Sequence, residues 1–355
     1  KETGNLVYEF KHKNVVRVAK FSPDGEYIGT GSNTVDGELI IWDVKSASTL
    51  FKIQPNYEIA DELDVSVSDL LFSPDSQFIA VWAVNRSARV YSVSSGNKIA
   101  EVRDAPGRPS SLSFSPDGKF ILTSYLDGTL QTYDALTGFN IATLLAHGRG
   151  VNDARFSPNG KFIVSAGGDN LARWWHFGGR EFLGGGGVGA KPSSIASGTP
   201  NPILEQLQDL VGHTDKIKTV RFGPDGQSIL TASDDGTARL WHVNAGEALV
   251  GHTNFVSAIA FSPDGKQLVT ASKDGTARVW DASTRKPLFE LRGHSGAIKS
   301  IAYSRDGSRL VTASEDKTAR LWNANDGTLV FTMSDATGDI GTAEFSPDGK
   351  FIATG

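Results

Sequence analysis

The chain has 355 residues, a formal net charge of −5, 39% hydrophobic residues and no cysteine. Without cysteine there are no disulfides, thiolate metal sites or cysteine nucleophiles, and a reducing, cytoplasmic location is expected. The acidic balance argues against nucleic acid as a partner, and no apolar run approaches the roughly 18 residues of a spanning helix, so no membrane association is expected.

In chain order, Lys1 to Phe10 reads as an outer β-strand. One segment then recurs eight times: an aromatic residue, a small residue and a tight Pro-Asp/Asn-Gly turn, starting at Phe21, Phe72, Phe114, Phe156, Phe222, Phe261, Tyr303 and Phe345. Ser76 ends the second copy in place of glycine, and Arg305 replaces proline in the seventh. The successive spacings are 51, 42, 42, 66, 39, 42 and 42 residues. A period near 42 denotes a stack of supersecondary units, none able to bury its apolar face alone. The first long spacing holds extra residues near Pro55 to Asp64, read as a solvated acidic loop. The second holds a Gly/Ser/Pro-rich insertion at about 178–204, read as a flexible loop between the third and fourth strands of the fourth repeat. Its Gly184-to-Ser194 stretch fails as a phosphate-binding loop. Ala190 separates Gly189 from Lys191, Pro192 follows, and no strand–loop–helix unit surrounds it. At the end, residues 342–355 supply two inner strands of an eighth unit. Its third strand is missing, and the natural chain is expected to be longer.

Residues 252–294 show what one repeat encodes. Val256 to Phe261 is a β-branched, small and aromatic run, hence a strand. Pro263-Asp264-Gly265 is a turn: proline presets the first central dihedral and glycine accepts the positive φ. Lys266 to Ser272 resumes the strand pattern, Lys273-Asp274-Gly275 is a hairpin turn, and Thr276 to Trp280 and Pro287 to Leu291 are the last two strands. The product is a four-stranded antiparallel meander.

Gly251-His252, Ser272, Asp274 and Trp280-Asp281 resemble the WD-repeat signature. Counted from the turn aromatic, histidine falls 9 residues before, serine 11 after, aspartate 13 after and tryptophan 19 after. The spacing fits His213, Ser233, Asp235 and Trp241; His252, Ser272, Asp274 and Trp280; and His294, Ser314, Asp316 and Trp322. With a two-residue insertion it fits His12, Ser32, Asp36 and Trp42. The fourth copy keeps His147, Asp169 and Trp175 but has Gly167 for serine. The third has Ala105 for histidine, with Asp127, Tyr125 and Tyr133. The second keeps only Tyr91.

The resemblance implies an all-β propeller forming a single domain over residues 1–355. It would have eight blade positions, seven of them complete four-stranded blades and one assembled from both termini; a seven-bladed ring is the alternative. It also implies that each His–Ser–Asp–Trp set is a hydrogen-bonded structural network inside its blade. His, Ser and Asp together suggest a hydrolase triad, but a set repeated four times in one chain is not one active site. Neither an enzyme, a cofactor nor a metal site is expected: the seven histidines are scattered.

A propeller offers an end face built from the loops entering the first strands and the turns between second and third strands. Candidate partner-binding residues there are Phe255, Lys216, Lys273, Asp215, Asp234, Glu315 and Arg108. Phe255 is the leading anchor, an aromatic flanked by charge. Trp82 reads as packing. The function expected by fold analogy is a non-catalytic scaffold for protein or peptide partners, acting as a monomer or within a larger complex. The alternatives are a recognition module of a multidomain signalling ATPase or kinase, or a propeller enzyme using unrepeated polar residues at the central channel.

Overall fold

The computed structural model describes residues 8–12, 15–32, 38–53, 67–83, 88–102, 105–178, 204–242 and 245–355. Blade six shows how a repeat folds. Val256–Phe261, Gln267–Ser272, Ala277–Asp281 and Pro287–Leu291 pair antiparallel in sequence order. Each residue of the Ser-Pro-Asp-Gly turn has a task. Gly265 takes φ +70° and its amide bonds Ser262 O at 2.9 Å. Ser262 Oγ donates to Asp264 Oδ1 at 2.7 Å and accepts the Gln267 amide at 2.9 Å. In blade five Gly223 replaces that serine, and Ser228 Oγ donates to Asp225 instead, at 2.7 Å.

Seven such four-stranded blades follow one another along the chain. A two-stranded sheet, Ala343–Phe345 with Ile352–Thr354, packs between the seventh blade and the first. The structure thus supports the seven-bladed alternative: among the described residues, the expected eighth position has two strands and is not a full blade. The outer strand assigned to Lys1–Phe10 falls partly on residues 1–7, outside the described residues. Tyr8 to His12 is not a strand; Phe10 instead lays its ring on Trp42, centroids 5.0 Å apart, beside Ala353. The 55–64 loop and residues 179–203 of the insertion also lie outside the described residues, and the fourth strand of blade four resumes at Leu204–Leu210.

The first strands of successive blades approach one another around the central axis. Burial falls outward from there. The second strand of blade six is buried along nearly its whole length, because neighbouring sheets cover both its faces, whereas the fourth is half exposed. The core is accordingly shared between blades. Leu230, Leu240 and Leu249 of blade five pack with Val256, Ile259 and Trp280 of blade six, and Val311 and Ala313 of blade seven pack with Ala343 and Phe345.

The first strand of each four-stranded blade carries a β-bulge near its start, and in three blades the extra residue reaches the next blade. In blade six it is Ser257, whose Oγ donates to Ile298 O of blade seven at 2.5 Å. In blade four it is Asn152, whose Nδ2 donates to Ile217 O of blade five at 2.7 Å. In blade three Ser110 Oγ reaches Val151 O of blade four at 2.5 Å. These bonds latch one inner strand to the next.

Candidate functional site

The end face stands on polar networks inside the blades. In blade five, His213 Nδ1 meets Asp235 Oδ2 at 2.7 Å and His213 Nε2 meets Thr231 Oγ1 at 2.8 Å. Trp241 Nε1 donates to the same Thr231 oxygen at 2.9 Å. Blades six and seven repeat this arrangement through Thr270 and Thr312. The buried aspartate side fixes the tautomer: Nδ1–H donates to the carboxylate, Nε2 accepts from the threonine hydroxyl, and that oxygen accepts the indole N–H.

The hydroxyl in the network is therefore threonine, not Ser233, Ser272 or Ser314. The reason is strand geometry. Trp241 lies opposite Ile229, and Thr231 and Ser233 follow on the same face at two-residue steps of about 7 Å each. The indole reaches its diagonal neighbour but not the serine one step further. The serines serve the loop instead: Ser272 Oγ donates to Asn254 O at 3.0 Å and accepts the Asp274 amide at 3.1 Å. Ser233 and Ser314 bond Asp215 O and Gly296 O in the same way. Ser233, Ser272 and Ser314 make no hydrogen bond to their histidines, so these repeated serines do not compose nucleophile–base pairs with them. Blade four, despite Gly167, has the full set through Ser165, which binds His147 Nε2 at 2.8 Å and Trp175 Nε1 at 2.9 Å. In blade one Thr30 links His12 and Trp42; Asp36 lies outside the described residues. Blade three substitutes a tyrosine pair, Tyr125 and Tyr133, with hydroxyls 3.3 Å apart. Trp82 is buried and stacks near Tyr125, at 5.7 Å.

The signal for threonine was present in the sequence. Nine residues after the eight turn aromatics stand Thr30, Thr123, Ser165, Thr231, Thr270, Thr312 and Thr354, with Val81 the exception in blade two. The Gly-His pair also has a physical reason: a Cβ on Gly251 would lie 2.6 Å from Arg278 Nη1, so glycine leaves room for the arginine of Thr-Ala-Arg.

Above the networks, one backbone bond recurs in blades three to seven. The residue that ends the entry loop offers its carbonyl to the amide that opens the second turn. Asp234 N bonds Lys216 O at 3.1 Å, Lys273 N bonds Phe255 O at 3.0 Å, Glu315 N bonds Ala297 O at 3.0 Å, and Leu126 N bonds Arg108 O at 2.9 Å. The candidate residues are thus placed in pairs. Lys216 Nζ meets the buried Asp234 carboxylate at 3.1 Å, and Lys218, the bulged residue of its strand, meets it at 3.6 Å. Lys299, bulged in blade seven, pairs with Glu315, and that contact holds the Glu315 carboxyl below its ordinary range. Phe255 is 38% exposed, and Lys273 Nζ lies over its ring, 5.3 Å from the centroid. Asp215 is exposed and accepts the Lys216 amide at 2.7 Å. Arg108 is exposed in blade three, apart from the cluster in blades five to seven. A polar cleft of about 480 Å³ lies at the opposite end, lined by Asp24, Glu26, Tyr27, Asp75 and Phe78 among others.

The four-stranded radial blades, their shared cores and their internal His–Asp and Thr–Trp links define a β-propeller of the repeat type. The family model "WD domain, G-beta repeat" matches residues 4–43, 101–134, 138–176, 204–242, 246–281 and 285–323, more than half of the chain, and the chain belongs to the WD40 family. Propellers of this family are generally non-catalytic modules that bind protein partners. The chain is 32% identical over 85 residues to WD repeat-containing protein 88 of Homo sapiens, covering 24% of this chain and 16% of that protein. It is 28% identical over 101 residues to Protein HIR1 of Eremothecium gossypii, covering 25% and 12%. It is 44% identical over 43 residues to the serine-threonine kinase receptor-associated protein of Gallus gallus, covering 12% of each. The matched stretches are thus a small part of these relatives.

Two outcomes follow from the networks. Thr270→Val keeps the shape but leaves Trp280 Nε1 and His252 Nε2 buried without partners, and should lower stability by about 1–3 kcal/mol. Ser272→Ala, which loosens only the loop, should lower it by less. Denaturant titrations giving equal losses for the two, or none for Thr270→Val, would contradict the assignment.

The second outcome concerns pH. Burial holds His12, His147, His213, His252 and His294 below the ordinary imidazole value, outweighing the acidic partners. The unfolded chain takes up those protons below about pH 6.5 while the folded chain resists. This contribution is complete above that pH and shrinks below it. Burial opposes ionisation of Asp274 and Asp316, but hydrogen bonds from Thr276, Thr253 and His252, and from Thr318, His294 and Ser295, bring both to about 2. Their contribution is present above about pH 4 and lost below. Melting temperature should fall from pH 7.5 to 5 and again below 4; a flat profile from 8 to 5 would contradict the buried neutral histidines.

Proposed function

We propose that this chain is a non-catalytic interaction scaffold that receives a protein or peptide partner on the end face of blades five to seven, in the cytoplasm, alone or within a larger complex. The observation that carries the reading is the Phe255–Lys273 pair. A large aromatic stays 38% exposed on a rigid support, its carbonyl bonded to the Lys273 amide and the preceding Asn254 carbonyl held by Ser272. Such an anchor gains contact area without the entropy of ordering a mobile loop. The lysines around it contribute orientation and association rate more than affinity. The family's general behaviour supports the same reading.

Phe255→Ala combined with Lys216→Ala and Lys273→Glu should abolish capture of co-purifying partners while the melting transition stays in place, since all three side chains are exposed and Lys218 still faces the buried Asp234. A true anchor contributes about 2 kcal/mol or more. Capture that survives all three changes but is lost on altering outward residues such as Leu207 and Val250 would move the partner to the rim and refute the proposal.

A further inference from the structure

This face carries Lys216, Lys218, Lys273 and Lys299, and three of them are paired with a carboxylate. Lys216 and Lys218 both reach Asp234, whose side chain is only 4% exposed. Lys299 is held by Glu315. Lys273 differs. Its ammonium lies over the Phe255 ring, and among the described residues no carboxylate lies within ion-pair distance of it. Its backbone amide bonds Phe255 O at 3.0 Å, so the two residues are held side by side. A cation stacked on an aromatic face keeps its charge available to a second, anionic partner while the ring's free surface remains apolar.

We infer that the Phe255–Lys273 pair recognises an acidic peptide segment in which a carboxylate stands next to an apolar side chain. The apolar group covers the exposed part of the ring and the carboxylate meets the Lys273 ammonium. This rests on the end-face reading above and adds the chemistry of the partner. A peptide is favoured over a nucleic acid strand because the same face carries Asp215, Asp234 and Glu315. A single carboxylate can be placed between these anions; a continuous row of phosphates cannot avoid them.

The test uses the full chain and two fluorescein-labelled ten-residue Gly/Ser probes, one carrying a single Asp-Leu pair and the other Asn-Leu at the same positions, followed by anisotropy at low and high salt. The aspartate probe should bind about two- to fivefold more tightly than the asparagine probe, the weight of one exposed charge contact, with the difference shrinking in high salt. Lys273→Gln should erase the difference, and Phe255→Ala should weaken both probes by at least about tenfold. Equal binding of the two probes, both still weakened by Phe255→Ala, would overturn this inference and leave the end-face reading standing. No binding of either probe, discrimination unaffected by Lys273→Gln, or preferential displacement by oligo-deoxythymidine would also overturn it. Both variants change exposed side chains, and an unchanged melt confirms that each is folded.

Discussion

In blades one and four to seven, one buried hydroxyl ties together elements that have no other reason to meet. In blade six it belongs to Thr270, fully buried on the second strand. It accepts the indole proton of Trp280 on the third strand and donates its own proton to Nε2 of His252 on the entry loop. Through His252 the chain of bonds continues to Asp274, which also accepts the Thr253 amide at 3.0 Å and the Thr276 hydroxyl at 2.7 Å. A polar group this deep is tolerable only when every lone pair and proton is matched. Matching them fixes the loop, the hairpin turn and the third strand in one arrangement, and the end-face residues sit directly above.

Between blades the constraint is different. Each sheet hides its apolar faces only against its neighbours, so the ring holds together cooperatively. Polar latches set the relative height of adjacent inner strands. The largest is at blades four and five, where buried Asp153 accepts from Thr219 at 2.7 Å and Arg221 at 2.6 Å and faces Arg155 at 3.0 Å. Burial opposes its ionisation, but the two arginines bring its carboxyl to about 2. After desolvation such a cluster adds little net stability; its effect is to place one first strand against the next. The same bulge position supplies Ser257 as a latch in blade six and Lys218 and Lys299 as end-face charges in blades five and seven. One local backbone irregularity thus serves both ring geometry and surface chemistry.

Much of this was legible in the sequence. Strand positions in blade six agree with the pattern of β-branched residues and turns to within a residue, because Pro263 and Gly265 each admit few backbone conformations. The His–Asp and tryptophan positions were also readable from spacing alone. The identity of the bonded hydroxyl was not, because Thr270 and Ser272 share a strand face and only the diagonal reach of the indole separates them. Blade four looked incomplete for the same reason, until Ser165 took the threonine's place. The pairing of Phe255 with Lys273 depended on a loop-to-turn hydrogen bond between residues 18 apart, which no local pattern announces. The two-strand content of the last position followed from residues 342–355, whereas the packing of Phe10 on Trp42 in place of a paired strand did not, since an aromatic next to charged residues reads equally well as either.

The account's central claim is that a threonine hydroxyl, sealed from water, holds the tryptophan of each regular blade. Hydrogen exchange of the tryptophan indole protons, followed by NMR, measures this directly. The indole protons of Trp241, Trp280 and Trp322 should exchange only on global unfolding, and Thr270→Val should selectively accelerate Trp280. Rapid exchange of all three in the unaltered protein, or no selective change at Trp280 in the variant, would contradict it.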